Sequence, residues 1–202
     1  MSLIVVEGSQ RLEGSVKPSG SKDSAVKLIV ASLLSNQDIV LENIPHTSDI
    51  EIIFDVIESI GGTISWIGDN KLMINASTIG THIIPFDIGS KSRFSALLAA
   101  PLVFRFGKAI VPRAVNAPYR PQPINRWLDS WQSLGIEVDA DKENVRLVLH
   151  EKTSSDLNFK ISTHTGTANA MLTAVFIPGE TIINSAAEET EVDDLIDFLN
   201  TI

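Results

Sequence analysis

The chain has 202 residues, of which 44% are hydrophobic and 20% charged, and its formal net charge is −9. This composition is typical of a globular protein with enough apolar material for a core. The acidic balance argues against a nucleic-acid-binding protein, and the absence of cysteine excludes disulfides, thiolate metal sites and a cysteine nucleophile within these residues.

The remaining bulk features give three more expectations. The four histidines lack metal-ligand spacing, so we expect no metal and no cofactor. The longest apolar stretch, residues 96–104, is too short to span a bilayer, so no membrane contact is expected. Residues 1–8 lack the pattern of a signal peptide, and a cytoplasmic protein is the default expectation.

Taken in chain order, the predicted elements repeat three times. Residues 31–44, 100–111 and 173–184 each have the pattern of a helix end, a turn and a strand. An amphipathic helix follows each of them, at 48–60, 124–134 and 191–202. Glycines 61 and 135 then end the first two of these helices, and each is followed by two strands around a polar turn.

The third helix reaches Ile202 without the glycine and the closing hairpin, so we expect a third unit that is cut short. The alternative is that the similarity of the units is chance and that the domain ends in a helix.

A β-α-β-α-β-β unit with strongly apolar helices at 24–34, 93–104 and 168–176 predicts an unusual architecture. Helices that are apolar on nearly all sides are buried. The predicted fold class is therefore α/β (α+β), an inside-out domain with buried helices and outer sheets. Its predicted units are 15–77, 82–150 and an incomplete 157–202.

Residues 18–25, Pro-Ser-Gly-Ser-Lys-Asp-Ser-Ala, form the most informative motif. A Gly/Ser turn entering a helix presents free backbone N–H groups, and Lys22 adds a positive charge, which suits a phosphate or a carboxylate. Capping alone also explains these residues. The second unit places Lys91 and Arg93 at its helix start, and the third places Thr165-Gly166 there. Either these three starts converge on one anion-binding face, or they are three solvated helix ends.

The chain resembles the enolpyruvyl transferases that act on UDP-N-acetylglucosamine in peptidoglycan synthesis, which are relatives of enolpyruvylshikimate phosphate synthase. The matching stretches are VEGSQRLEGSVKPSGSKDSA, SKSRFSALLAAPLVFRFG, RPQPINRWLDSWQSLG and THTGTANAMLTAVFIPGETIINSAAEETEV. They cover nearly the whole chain and about the first half of such an enzyme. The resemblance implies two inside-out domains, an active site between them, and transfer of the enolpyruvyl group of phosphoenolpyruvate to a hydroxyl without a metal.

Site residues follow from the resemblance position by position. Lys22 matches a lysine that contacts phosphoenolpyruvate, and Asp23 stands where the sugar-nucleotide enzymes usually have asparagine. Further substrate-binding positions are Arg93, Arg120, Gln122, His164, Thr165, Gly166, Glu189 and Glu191. Arg120-Pro121 and Gln122-Pro123 are alternative matches to one Arg-Pro of the family. For Glu189 and Glu191, a solvated helix start is the alternative.

The loop at 112–123 departs from the family pattern. It reads PRAVNAPYRPQP and lacks the proton-donating cysteine or aspartate of the family. This departure suggests either a divergent proton donor or lost activity. The resemblance also implies that catalysis needs a second domain as the missing partner, so we expect the isolated chain to be inactive. The alternatives are a shikimate-pathway enzyme domain and a non-catalytic paralogue that acts as a binding domain.

The resemblance also assigns residues 1–14 to a strand of the second domain. We expect Leu3 to Val6 to be displaced, disordered or paired with another molecule.

Overall fold

The computed structural model describes residues 3–8, 11–114 and 125–202. The first unit contains α1 (Lys22–Ser32), β1 (Ile39–Glu42), α2 (Ser48–Ser59), β2 (Thr63–Gly68) and β3 (Lys71–Asn75). The second unit contains α3 (Phe86–Gly89), a 3₁₀ helix (Arg93–Leu98), α4 (Ala99–Phe106), β4 (Lys108–Pro112), α5 (Asn125–Ser133), β5 (Ile136–Ala140) and β6 (Asn144–Leu149). The third unit contains β7 (Asp156–Asn158), α6 (His164–Ala174), β8 (Ile182–Asn184) and α7 (Thr190–Leu199).

The sheets follow one topology. The first has the order β1-β3-β2 and the second β4-β6-β5, and all pairs in both are antiparallel. The third sheet pairs β7 with β8 in parallel. A parallel bridge between Ile83 and Ile110 is the equivalent contact in the second unit. The strand order of the first sheet therefore recurs in the second, and the third unit shares its parallel contact with the second.

The core lies among the helices. In α1, Val26, Ile29 and Val30 are fully buried, and most of α6 and all of residues 94–103 are also buried. Strand residues alternate between buried and exposed positions, so the sheets cover this core with one face and meet solvent with the other. The predicted fold class, with buried helices and outer sheets, is confirmed.

The predicted glycine caps are also confirmed. Gly61 and Gly135 have φ values of 96° and 82°, in the left-handed region that side chains rarely adopt. A Cβ atom on Gly135 would lie 1.8 Å from the carbonyl oxygen of Glu151, so this position is closed to other residues on steric grounds as well.

Three local predictions were wrong. The strand that the repeat pattern places at the start of the first unit, after residue 15, does not form, because Pro18 disfavours one and Val16, 93% exposed, has no apolar partner to offset the cost. The second unit gains α3 and starts its buried helix as a 3₁₀ turn. The third buried helix begins at His164 and not at residue 168, because Thr163 caps it.

The apolar side chains of Leu3 to Val6 are 74–87% exposed, as expected for a segment outside the core. Their assignment to a second domain stays a prediction. Trp127 and Trp131 pack edge to face in the core, with ring centroids 6.1 Å apart. No described helix has the length and apolar character needed to cross a bilayer.

Candidate functional site

Three helices at equivalent places in the units begin with a hydroxyl cap. The side chains of Ser21, Ser92 and Thr163 accept hydrogen bonds from backbone N–H groups in the first turn of α1, the 3₁₀ helix and α6. The caps lie 71 residues apart in both cases (21 to 92 and 92 to 163). The helix starts are thus set by the repeat itself.

A basic residue directly follows each cap. These residues are Lys22, Arg93 and His164. The helix dipole places partial positive charge at a helix start and disfavours a cation there by about 0.3–1 kcal/mol. The cations Lys22 and Arg93 therefore need compensation by carboxylates or by a bound anion.

Lys22 is compensated by Asp49 at the start of α2. Its Nζ lies 2.7 Å from Oδ2 of Asp49, and the hydroxyl of Ser92 donates to Oδ1 of the same carboxylate at 3.1 Å. The Lys22 side chain stays 37% exposed. One carboxylate therefore joins the first two helix starts and leaves the ammonium accessible.

Arg93 faces Asp23 more loosely. Its Nη2 is 3.8 Å from Oδ1 of Asp23, which is too long for a hydrogen bond, and that buried oxygen has no hydrogen-bond partner. The guanidinium lies over the ring of Phe94, 4.7 Å from its centroid. Since Arg93 is 38% exposed and weakly held, its guanidinium is able to bind an incoming anion.

Lys27 lies beneath these groups and is fully buried. Its Nζ donates to the carbonyl oxygen of Asp23 at 2.9 Å and lies 3.0 Å from Nδ1 of His164. Burial lowers the pKa of Lys27, while the carboxylates of Glu191, Asp23 and Glu189 act in the opposite direction.

His164 links α6 to α1 and α7. Besides Lys27, its Nδ1 lies 3.4 Å from Oε1 of Glu191. Burial, and secondly the charge of Lys27, lower the pKa of His164. The imidazole is therefore neutral near neutral pH, so it acts as a polar group and not as a third full cation.

The close turn before α1 depends on Gly20. A Cβ atom there would lie 1.8 Å from the carbonyl oxygen of Asn43, far closer than non-bonded carbon and oxygen atoms can approach. The turn therefore packs directly on the backbone after β1, and this contact fixes the position of Lys22 two residues later.

Most predicted site residues lie together. The contacts above bring together Lys22, Asp23, Arg93, His164 and Glu191, and Glu189 is close enough to act on the charges of Lys27 and His164. Thr165 is buried, and the backbone N–H of Gly166 donates to the side-chain hydroxyl of Thr163, which caps α6. Arg120 and Gln122 lie outside the described residues.

Sequence reasoning missed Lys27, Asp49 and Asp194, which accepts a short hydrogen bond from the hydroxyl of Ser24. Lys27 carries a signal in the sequence, because a lysine inside a helix predicted to be apolar on all sides must find partners in the interior. Asp49 and Asp194 carry none, since Asp49 resembles an ordinary acidic residue in the first turn of α2 and Asp194 an ordinary acidic residue on an acidic helix. Among the described residues, no group of three or more His, Asp or Glu is arranged to hold a metal ion.

Comparison with known proteins identifies relatives of this chain. The family model described as EPSP synthase (3-phosphoshikimate 1-carboxyvinyltransferase) matches residues 6–202. UDP-N-acetylglucosamine 1-carboxyvinyltransferase of Finegoldia magna is 31% identical over 100% of this chain and 48% of its own length. The protein of the same name from Hydrogenovibrio crunogenus is 32% identical over 99% of this chain and 48% of its own length.

Solved structures show the same fold. The enolpyruvyl transferase NikO of Streptomyces tendae superposes with a TM-score of 0.82 at 21% identity, covering 96% of this chain and 45% of that one. EPSP synthase of Acinetobacter baumannii superposes with a TM-score of 0.69 at 11% identity, covering 89% and 42%. The chain spans about half the length of the curated relatives it matches. With the family model covering almost all of its residues, this chain belongs to the EPSP synthase family of carboxyvinyl transferases.

Proposed function

We propose that this chain is a domain of an enzyme that transfers the enolpyruvyl group of phosphoenolpyruvate to UDP-N-acetylglucosamine. One observation carries the proposal: the basic residues after three equivalent helix caps converge with carboxylates of α1, α2 and α7. The names of the relatives support the choice of substrate.

The mixture of charges suits a phosphorylated sugar better than a simple anion. Lys22, Lys27 and Arg93 are cations, whereas Asp23, Asp49, Glu189 and Glu191 are carboxylates. Cations with exposed tips bind phosphate or carboxylate oxygens, and carboxylates accept hydrogen bonds from hydroxyl groups. A sugar nucleotide and phosphoenolpyruvate together present both kinds of group.

Within this proposal, Lys22 and Arg93 bind anionic oxygens, because both are more than a third exposed at the site. His164 and the start of α6 face the nucleotide. Arg120 and Gln122 remain candidates on the loop. Transfer needs a further set of groups that protonate the methylene carbon and deprotonate the hydroxyl, and we assign these to a second domain, in a cytoplasmic enzyme.

Calorimetric titration of the 202-residue chain with UDP-N-acetylglucosamine tests the proposal. We expect saturable binding that is lost in Arg93→Ala and kept in Arg146→Ala, a matched control because Arg146 is exposed and pairs with Asp139 and Asp141, which are not among the predicted site residues. Shikimate 3-phosphate is the comparison ligand. Stronger binding of shikimate 3-phosphate would favour the aromatic-pathway relative, and no heat with either ligand would contradict the proposal.

A second candidate is a domain that binds its ligand without turnover. The absence of cysteine from the chain, and of aspartate from residues 112–123, favours it. Phosphate release from phosphoenolpyruvate, measured with this chain in its full-length context, distinguishes the two. Release that depends on UDP-N-acetylglucosamine would exclude the second candidate.

A further inference from the structure

The contact between Lys27 and His164 is the strongest feature that the proposed transfer does not use. Lys27 is fully buried, and its Nζ lies 3.0 Å from Nδ1 of His164. The two residues are 137 positions apart in the sequence, so the contact is a product of the fold.

The chemistry of the two groups determines the direction of this hydrogen bond. A protonated lysine carries three N–H donors and no acceptor. It already donates to the carbonyl oxygen of Asp23 at 2.9 Å, so a second donor is available for the imidazole. An imidazole with hydrogen on Nδ1 would put two donors face to face in a buried place. As long as Lys27 is protonated, which the carboxylates of Glu191, Asp23 and Glu189 favour, Nδ1 therefore accepts.

We propose that Lys27 is a positioning residue that donates to Nδ1 of His164 and thereby keeps the ring neutral with its hydrogen on Nε2. Both described polar contacts of His164 go through Nδ1. Nε2–H, on the other edge of the ring, is then the group offered to a ligand. This last point rests on the proposed function, because it needs His164 to face the substrate.

The surrounding charges compete in a defined way. Lys27 of α1 faces Nδ1, and Asp23 of α1, Glu189 and Glu191 of α7 are the carboxylates that act on the ring. Glu191 is the rival partner, because its Oε1 lies 3.4 Å from the same nitrogen and would accept a hydrogen from it. The shorter contact and the burial of Lys27 favour the lysine. The lowered pKa of His164 agrees, since burial and Lys27 oppose a positive ring.

The experiment is long-range proton–nitrogen NMR of the histidine side chains in the ¹⁵N-labelled chain, followed from pH 5 to 8. The loss of one signal set in His164→Gln assigns the ring. We expect the nitrogen shifts of the Nε2–H form at neutral pH. In Lys27→Met we expect hydrogen to move to Nδ1, towards Glu191, and the pKa of His164 to rise. Lys71→Met, which removes an exposed lysine of β3, should change neither.

A wild-type ring with hydrogen on Nδ1 overturns the inference, as does a Lys27→Met variant with unchanged tautomer and pKa. If Lys27→Met fails to fold, Lys27→Arg decides: an arginine also only donates, so the Nε2–H form should be kept, and hydrogen on Nδ1 in this variant would overturn the inference. These measurements need no ligand, so their outcome does not depend on whether the proposed function is correct. Adding UDP-N-acetylglucosamine should then shift Nε2 more than Nδ1. Saturable binding without any change at His164 would refute its role towards the ligand.

Discussion

Replacing Asp23 by asparagine tests whether this carboxylate limits anion binding at the three helix starts. Oδ1 of Asp23 lies 3.8 Å from Nη2 of Arg93 without a hydrogen bond. The carboxylate therefore competes for the guanidinium with any bound anion and also repels that anion. Asparagine keeps the shape of the side chain and removes the charge.

The structure gives the size of the effect. Two unit charges 3.8 Å apart interact by about 1 kcal/mol at the dielectric constant of water and by about 4 kcal/mol at an effective value of 20. The side chains of Arg93 and Asp23 are 38% and 33% exposed, so the lower figure applies. We expect Asp23→Asn to tighten binding of UDP-N-acetylglucosamine by about 1 kcal/mol, or about fivefold in Kd.

Calorimetry at low and high salt measures the change. The gain should shrink at high salt, because screening weakens the interaction of partly exposed charges. Asp193→Asn is the control, since Asp193 is an exposed acid in the first turn of α7 and makes no described ion pair. Unchanged or weaker binding in Asp23→Asn, or an equal gain in the control, would refute the electrostatic reasoning.

Three further predictions concern stability. Gly20→Ala should lower the free energy of unfolding, measured in urea, by about 2 kcal/mol or more, because the new methyl group meets the Asn43 carbonyl. Gly80→Ala should change it little, because a Cβ atom there makes only an ordinary contact, 3.9 Å from the Thr78 carbonyl oxygen. Trp131→Ala should cost about 3–5 kcal/mol, since the side chain is fully buried, and thermal unfolding measures this. Two backbone N–H groups, and then an arginine, lower the pKa of Asp141 to about 2. The ionised carboxylate of Asp141 thus stabilises the fold above pH 4, and this contribution is lost as the pH falls towards 2. In Asp141→Asn, the urea midpoint should therefore depend less on pH between 4 and 2.

Each of these has a contrary result. Equal stability of the two glycine variants would mean that the backbone after β1 adjusts without cost. A small loss in Trp131→Ala would place that ring outside the cooperative core. An unchanged pH profile in Asp141→Asn would show that the hydrogen bonds on the β5–β6 turn persist in the unfolded chain.

The architecture was predictable because its signals are local and repeated. Gly61 and Gly135 mark helix ends through a backbone conformation that few residues adopt. Helices that are apolar on all sides are predicted to be buried from their own sequence. The strand expected before α1 failed because strand formation depends on a partner, and residues 11–20 find none in the described structure. Pairing between distant residues leaves little trace in a single sequence.

The same distinction applies to the site. Lys22 and Arg93 were found because each follows a helix cap, which is a local pattern. Asp49 was missed because an acid in a first helical turn has an ordinary explanation in the helix dipole, and Asp194 because it is one of several acids on α7. The pairing of Lys27 with His164 joins the first and third units and becomes visible only when the helices are packed.

The three equally spaced helix caps share a backbone position in the repeat but differ in the side chain that follows each cap. The backbone places a hydroxyl-capped helix start at three equivalent positions, as an α-helix in the first and third units and as a 3₁₀ helix in the second. The difference lies in three side chains: a primary ammonium, a guanidinium and an imidazole that is neutral at physiological pH. Under the proposed function, the side chains at positions 22, 93 and 164 set the polarity of the ligand, and exchanging them should change the ligand that binds without any change of fold.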